Sequence, residues 1–254
     1  MIDEQCALAL HLGTYAAAVE NMLRRMVDED FSGEKYWLHQ VEIRLQPGEL
    51  SPGVGGELSG WFGDVPLTKL TELGARAVRY VNTHESVGSI SLVIDPQVIT
   101  RIRTIPLPTE AAILPTTAAA TQAVIRATSD LEAAEHLRPD TTGVPEDQIL
   151  HSSLKATLAA RRGLVEGRAV EIAQQMQRYR GRQAAISASL TDALANAYLI
   201  DVNTQVREKF TSVLPTETDP IEYHDQFRLM AGLLARPDTV VQQFEVASRR
   251  APIR

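Results

Sequence analysis

Cysteine is almost absent from this chain. Cys6 stands alone among 254 residues, so it can form no internal disulfide and finds no partner for a cysteine-based zinc site. As a small apolar side chain in the first element it needs no further role, and an intracellular, cytoplasmic setting is expected. Long apolar runs are missing too. No stretch approaches the ~18 residues of a membrane-spanning helix, and Met1-Ile2-Asp3-Glu4 is acidic where a secretory leader would be basic; neither a membrane span nor a leader is expected. Aromatic residues make up only 5% of the chain, which leaves Ala, Leu, Val and Ile to build the core. Positive charge is also short. Lys and Arg number 25 against 32 Asp and Glu, a net charge of −7. Residues 1–117 carry nine against fifteen (−6) and the remainder sixteen against seventeen (−1). Neither half has the positive field that phosphate-backbone binding requires, so nucleic acid is not an expected partner.

What is present changes character along the chain. Residues up to about 105 are rich in glycine and β-branched residues. Pro106, Pro108 and Pro115 mark a linker over 106–116, because closely spaced prolines oppose both helix and central strand. Residues 117–254 are rich in alanine and arginine. The expected fold class is α+β, with an N-terminal mixed or antiparallel sheet domain carrying helices (1–105) and an all-α domain (117–254) with a long heptad-patterned helix.

In the first part, Cys6, Leu8 and Leu10 alternate as in a strand. Gly13-Thr14 then interrupts, and Ala16, Val19, Met22, Leu23 and Met26 recur at helical spacing. Thr14 is the candidate N-cap of a helix reaching about Asp28; one continuous helix from Glu4 is the competing reading. Tyr36 to Leu45 is β-rich. Residues 47–64 hold too many glycines and prolines for a regular element, and Trp61-Phe62 is expected to fold back onto the core. Leu67 to about Ala77 reads as a helix, and Gly88 to Ile94 as the clearest strand. Asp95-Pro96 stops it, with an extended or short helical piece following.

Beyond the linker, Thr117–Leu137 reads as a helix, and Pro145-Glu146-Asp147 is a good helix start. From Leu158 to Ile200 apolar residues recur alternately four and three apart, through Ile172, Tyr179, Ile186 and Leu190, with Arg162 and Gln183 as polar intrusions. This seam predicts either one helix of about 55 residues or a pair folded back near Gly181; the lack of Pro, Asn or Asp beside Gly181 favours one helix. A seam of this length should be covered by something, so a homo-oligomer or a helical partner through residues 147–200 is expected. The arginines Arg161, Arg162, Arg168, Arg178, Arg180 and Arg182 read as a solvated face with an acidic partner as the alternative. A loop follows at Pro215–Pro220, then helices over Ile221–Ala235 and Asp238–Arg249.

Two constellations are candidates for chemistry. His11 before Gly13-Thr14 would place an imidazole, a hydroxyl and free backbone N–H groups around one small space, and Gly13 would let a ribose or amide approach the backbone. The plain alternative is a helix cap beside a hydrogen-bonded histidine. His84-Glu85 with His39 could bind a metal, but no His-Glu-x-x-His spacing occurs and no metal is expected. Gly53-Val54-Gly55-Gly56 lacks the Lys-Ser/Thr ending of a phosphate loop, and no Gly-x-Ser-x-Gly elbow is present.

His11-x-Gly13-Thr14 followed by an alanine-rich helix resembles the opening of the ADP-ribosyltransferase-like fold. The likeness is to its His-Tyr-Glu branch and to related domains of phage polyvalent and head-assembly proteins. Tyr36–Leu45 looks like the second strand of such domains, and Arg79-Tyr80-Val81-Asn82-Thr83-His84-Glu85 running into Gly88–Ile99 is similar to their late Tyr-x-Asn-x-x-Glu segment and final strand. The resemblance covers about residues 5–105. It implies that His11, Gly13 and Thr14 contact the nicotinamide-side ribose of NAD and that a tyrosine stacks on the nicotinamide. It also implies a glutamate that stabilises the oxocarbenium-like ribose: Glu85, with Glu110 in reserve. The chain departs from the pattern in having no tyrosine in its middle region, so Tyr80, or else Tyr36, would take that role. Two functions follow: an NAD-dependent enzyme with a helical assembly module, or a non-catalytic structural protein, cytoplasmic or part of a virion, that assembles through its long helix.

Overall fold

A computed structural model of the chain describes residues 7–28, 35–57, 65–142, 168–214 and 219–250. Cys6, Trp61-Phe62, the helix start at Pro145 and the first part of the seam, from Leu158 through Val165, lie outside the described residues. Both sheets and helices are present, and the fold is α+β. The chain divides into two compact units. The first comprises Met1–Leu114, Asp201–Pro215 and Arg228–Arg254; the second comprises Pro115–Ile200 and Thr216–Phe227.

In the first unit a four-stranded mixed sheet runs β1 (Leu10–Leu12), β5 (Ile90–Ile94), β4 (Ala77–Val81), β3 (Gly55–Gly56). Its pairings are antiparallel except the parallel β3–β4 pair. A separate antiparallel ribbon joins β2 (Tyr36–Ile43) to β6 (Ile99–Leu107). Helices α1 (Tyr15–Asp28) and α2 (Leu67–Glu72) come between strands. Residues Ala9, Leu70, Val78 and Val93 pack on one sheet face. Ala77, Ile94 and Val98 pack on the other with Leu12, Leu50 and Ile99. Thr14 caps α1 as its sequence position suggests, its Oγ1 accepting from Ala17 N at 3.2 Å. The first strand is shorter than the alternation of Cys6, Leu8 and Leu10 implies, and the helix expected over Leu67–Ala77 stops at Glu72. Gly74, at φ +61°, turns the chain there, and Ala77–Val81 becomes a strand because β5 is available to pair with it.

The proline-marked segment is no free linker. β6 runs through Pro106, opposite Trp37, which is allowed because a strand in a two-stranded ribbon has a free edge where no N–H is needed. A short 3-10 turn at Glu110–Ala112 follows. Ala112 is fully buried, and Arg228 and Arg236 donate to the carbonyls of Leu114 and Ile113 at 3.2 and 3.3 Å. The division therefore falls at Leu114/Pro115, and segments after residue 200 return to the first unit. These are α5 (Thr204–Val213), an element the sequence pattern does not single out, the later part of α6 (Pro220–Ala235) and α7 (Pro237–Arg250). A single cut into 1–105 and 117–254 is replaced by an interleaved one, because long-range packing decides membership.

The second unit is helical. α3 (Ala118–Glu135), capped by Thr117, buries Ala120, Ala127 and Ala134 at intervals of seven. That strip of small residues lets α4 (Arg168–Tyr198) pack closely. α4 continues unbroken through Gly181, so no fold-back occurs there, and it ends at Tyr198. Ile172, Tyr179, Ile186 and Leu190 of the seam are buried within the chain, whereas Ile200 is 72% exposed. At the C-terminal end of α4, Thr191 meets the hydroxyl of Tyr223 at 2.7 Å and Tyr198 meets His224 Nε2 at 2.8 Å.

Candidate functional site

The register of the four-stranded sheet brings distant residues onto one face. His11 lies opposite Val93, Val93 opposite Val78, and Ser91 opposite Tyr80. Because side chains alternate along a strand, His11, Ser91 and Tyr80 share that face. His11 Nδ1 lies 3.1 Å from the Tyr80 hydroxyl, the rings meeting edge-on. Gly13 completes the corner: a Cβ there would lie 3.0 Å from Ala17 Cβ and 3.4 Å from Ser91 Oγ, so only glycine leaves this space open.

A hydrogen-bonded chain continues from Tyr80. Ser91 bonds its hydroxyl, and buried Asn82 donates from Nδ2 to Ser91 Oγ at 3.3 Å. Asn82 Oδ1 in turn accepts from the backbone N–H groups of His84 and Glu85, both at 2.9 Å. Burial pushes the Tyr80 phenol above its usual range; the Ser91 hydrogen bond opposes this, and the negative charges of Glu57 and Glu85 add to it. Tyr80 therefore stays protonated at neutral pH and can donate. Donation from Asn82 to Ser91, Ser91 to Tyr80 and Tyr80 to His11 Nδ1 satisfies each group once and puts the ring proton on His11 Nε2.

Glu85 is 14% exposed and accepts from Arg24 Nε of α1 at 3.1 Å. Its carboxylate is near enough to act on Tyr80 electrostatically. The reserve Glu110 is exposed in its turn after β6.

A cleft of about 770 Å³ opens beside this corner in the first unit. His11, Gly13 and Thr14 line it, as does the α1 face carrying Ala18, Asn21, Met22 and Arg25. Its other wall is the β2–β6 ribbon with Val241 and Phe244 of α7. Of the five residues singled out from the sequence, three line the cleft directly. Tyr80 reaches it through His11, and Glu85 is not among the lining residues. Tyr36 lines the ribbon wall and offers a second tyrosine. In a chain of net charge −7, the described lining residues include no carboxylate and one permanent cation, Arg25.

Ser91, Arg24 and Arg25 carry no motif and enter the site through strand register and helix placement, and Asn82 of the Tyr-x-Asn-x-x-Glu segment joins it through Ser91. Trp37 and His39 lie in the β-rich segment expected over Tyr36–Leu45, and alternation along β2 puts both on one face of the ribbon. His39 is held by Thr104 at 2.9 Å and stands on the ribbon, apart from the His84-Glu85 turn. Among the described residues no group of three or more His, Cys, Asp and Glu could hold a metal ion. No helix among them is long and apolar enough to cross a membrane. No protein-family model, curated protein or solved structure matches the chain.

Proposed function

We propose that the first unit is an NAD-binding, ADP-ribosyltransferase-like domain that modifies a target through the corner at His11. The observation that carries this reading is the His11–Tyr80 hydrogen bond. It joins the His-x-Gly-Thr corner to the Tyr-x-Asn-x-x-Glu segment, 69 residues away, beside a cleft of nucleotide size. In this reading His11 Nε2–H and the Thr14 corner hold the nicotinamide-side ribose. Thr14 does so with backbone donors at the start of α1, since its hydroxyl already caps the helix. As the nicotinamide leaves, positive charge grows on the ribose and a carboxylate within reach lowers the barrier. Glu85 takes that role by leaving Arg24, and Asn82 fixes the backbone from which it swings.

The test is calorimetric NAD binding together with assay of released nicotinamide. Glu85→Gln should cut release roughly a hundredfold with binding retained, and His11→Ala should weaken NAD binding roughly tenfold. Absence of saturable binding at millimolar NAD overturns the reading.

A second reading is favoured by the Arg24–Glu85 ion pair, which leaves the carboxylate engaged and off the cleft: a non-catalytic, phage-type assembly protein of the same descent. It expects NAD binding without turnover, or neither, and a stable oligomer. The seam from Ile172 to Leu190 is buried within the chain, so Asp at Ile172 or Leu190 would unfold the second unit rather than report on assembly. The elution volume of the intact chain is the useful measurement, and a monomer counts against this reading.

A further inference from the structure

We infer that the ribbon wall of the cleft is a purine-nucleotide subsite, in which Trp37 stacks on the base, His39 bonds its edge and Arg25 takes the 5′-phosphate. The inference rests on the NAD reading for the identity of the whole ligand, of which this wall would hold the adenylate half.

Three observations carry it. First, Trp37 is 54% exposed although it lines the cleft. An indole is among the largest apolar surfaces a chain can bury, so leaving half of it open costs stability unless something covers it. Second, the platform is held in place. Trp37 and His39 are two apart on β2, so they project from one ribbon face about 7 Å apart. Pro106 lies opposite the indole and Thr104 opposite the imidazole, and the His39 Nδ1–Thr104 Oγ1 bond at 2.9 Å fixes the ring beside the indole. Third, the charge of the cleft runs against that of the protein. Its described lining has Arg25 and no acid, which suits an anion; a guanidinium can grip a phosphate through two parallel hydrogen bonds.

A planar base joined to an anion is a nucleotide. The corner at His11 is already taken by the ribose that loses nicotinamide, which leaves the purine half for this wall.

The experiment titrates the full chain with AMP, adenosine and nicotinamide mononucleotide, following heat and tryptophan fluorescence. AMP should bind saturably and quench emission, and the quench should vanish in Trp37→Phe while binding persists. Trp37→Ala should weaken AMP about tenfold or more, as expected when a base loses its aromatic platform. Arg25→Gln should weaken AMP about tenfold and leave adenosine unchanged. No AMP binding, or AMP binding that survives both Trp37→Ala and Arg25→Gln, overturns the inference. If NAD binds and depends on His11 while Trp37→Ala changes nothing, the subsite fails and the NAD reading stands. If AMP binds through Trp37 while NAD binds no tighter and releases no nicotinamide, the subsite stands and the NAD reading fails.

Discussion

The two units use buried polar groups differently. In the second, Thr191, Tyr223, Tyr198 and His224 pair off where helices pack, each hydroxyl meeting one partner within hydrogen-bond distance. They fix how the helices meet, and the seam around them is filled by Leu190, Leu194 and Phe227. In the first unit the polar groups form a line instead, from Asn82 through Ser91 and Tyr80 to His11, and the line ends at an open cleft. Polar groups that pair inward stabilise a fold. A chain of them that ends at a cavity orients a donor for something that enters, and only the first of these two arrangements offers one to a ligand.

Three substitutions test that contrast. The largest effect should come from Gly232→Ala on α6, where a Cβ would stand 2.1 Å from the carbonyl oxygen of Ala112. The helix must shift off the fully buried Ala112, with an expected loss of about 1–3 kcal/mol, toward the upper end because backbone cannot yield. Urea denaturation measures this; an unchanged midpoint would mean that the close approach is not kept in solution. Asn82→Ala comes next. It strips acceptors from the N–H groups of His84 and Glu85 and leaves Ser91 short of a donor, for about 1–2 kcal/mol. It should also loosen the Glu85 turn, read as faster amide exchange over residues 83–89 with α3 and α4 unaffected. Equal acceleration in both units would mean that the polar line of the first unit is not a local device. The smallest effect has the opposite sign. Gly181 lies in mid-helix with open space where a Cβ would stand, so Gly181→Ala should stabilise the second unit by about 1 kcal/mol. The same substitution, glycine to alanine within a helix, is thus expected to harm one unit and help the other.

Local features of the fold were legible in advance. The Thr14 cap, the passage of α4 through Gly181 and the helices over 118–135, 220–235 and 237–250 all follow from caps, periodicity and breakers, which act within a few residues. The strand Ala77–Val81 was hidden because Ala-Val-Arg-Tyr-Val has no clear period of its own and became a strand by pairing. α5 was hidden behind the heptad seam that precedes it. Within the site, His11, Gly13 and Thr14 share one short motif and were visible together. Asn82 and Tyr80 stood in a second motif, but the residues that complete the geometry, Ser91, Arg24 and Arg25, belong to no motif. Glu85 was visible as a residue, while its partner Arg24, 61 positions away, was not.

Local signals in the sequence set most of the helices, the Thr14 cap and the scarcity of positive charge against which the cleft stands out. It also determined that one glycine-threonine corner follows a histidine. Packing between distant segments set the return of 201–214 and 228–250 to the first unit, the burial within the chain of Ile172, Tyr179, Ile186 and Leu190, and the 3.1 Å between Tyr80 Oη and His11 Nδ1. The physical reason is range. Capping and periodicity are settled by neighbours three or four positions away, whereas strand register and helix docking are settled by apolar surfaces seeking cover wherever the chain supplies it.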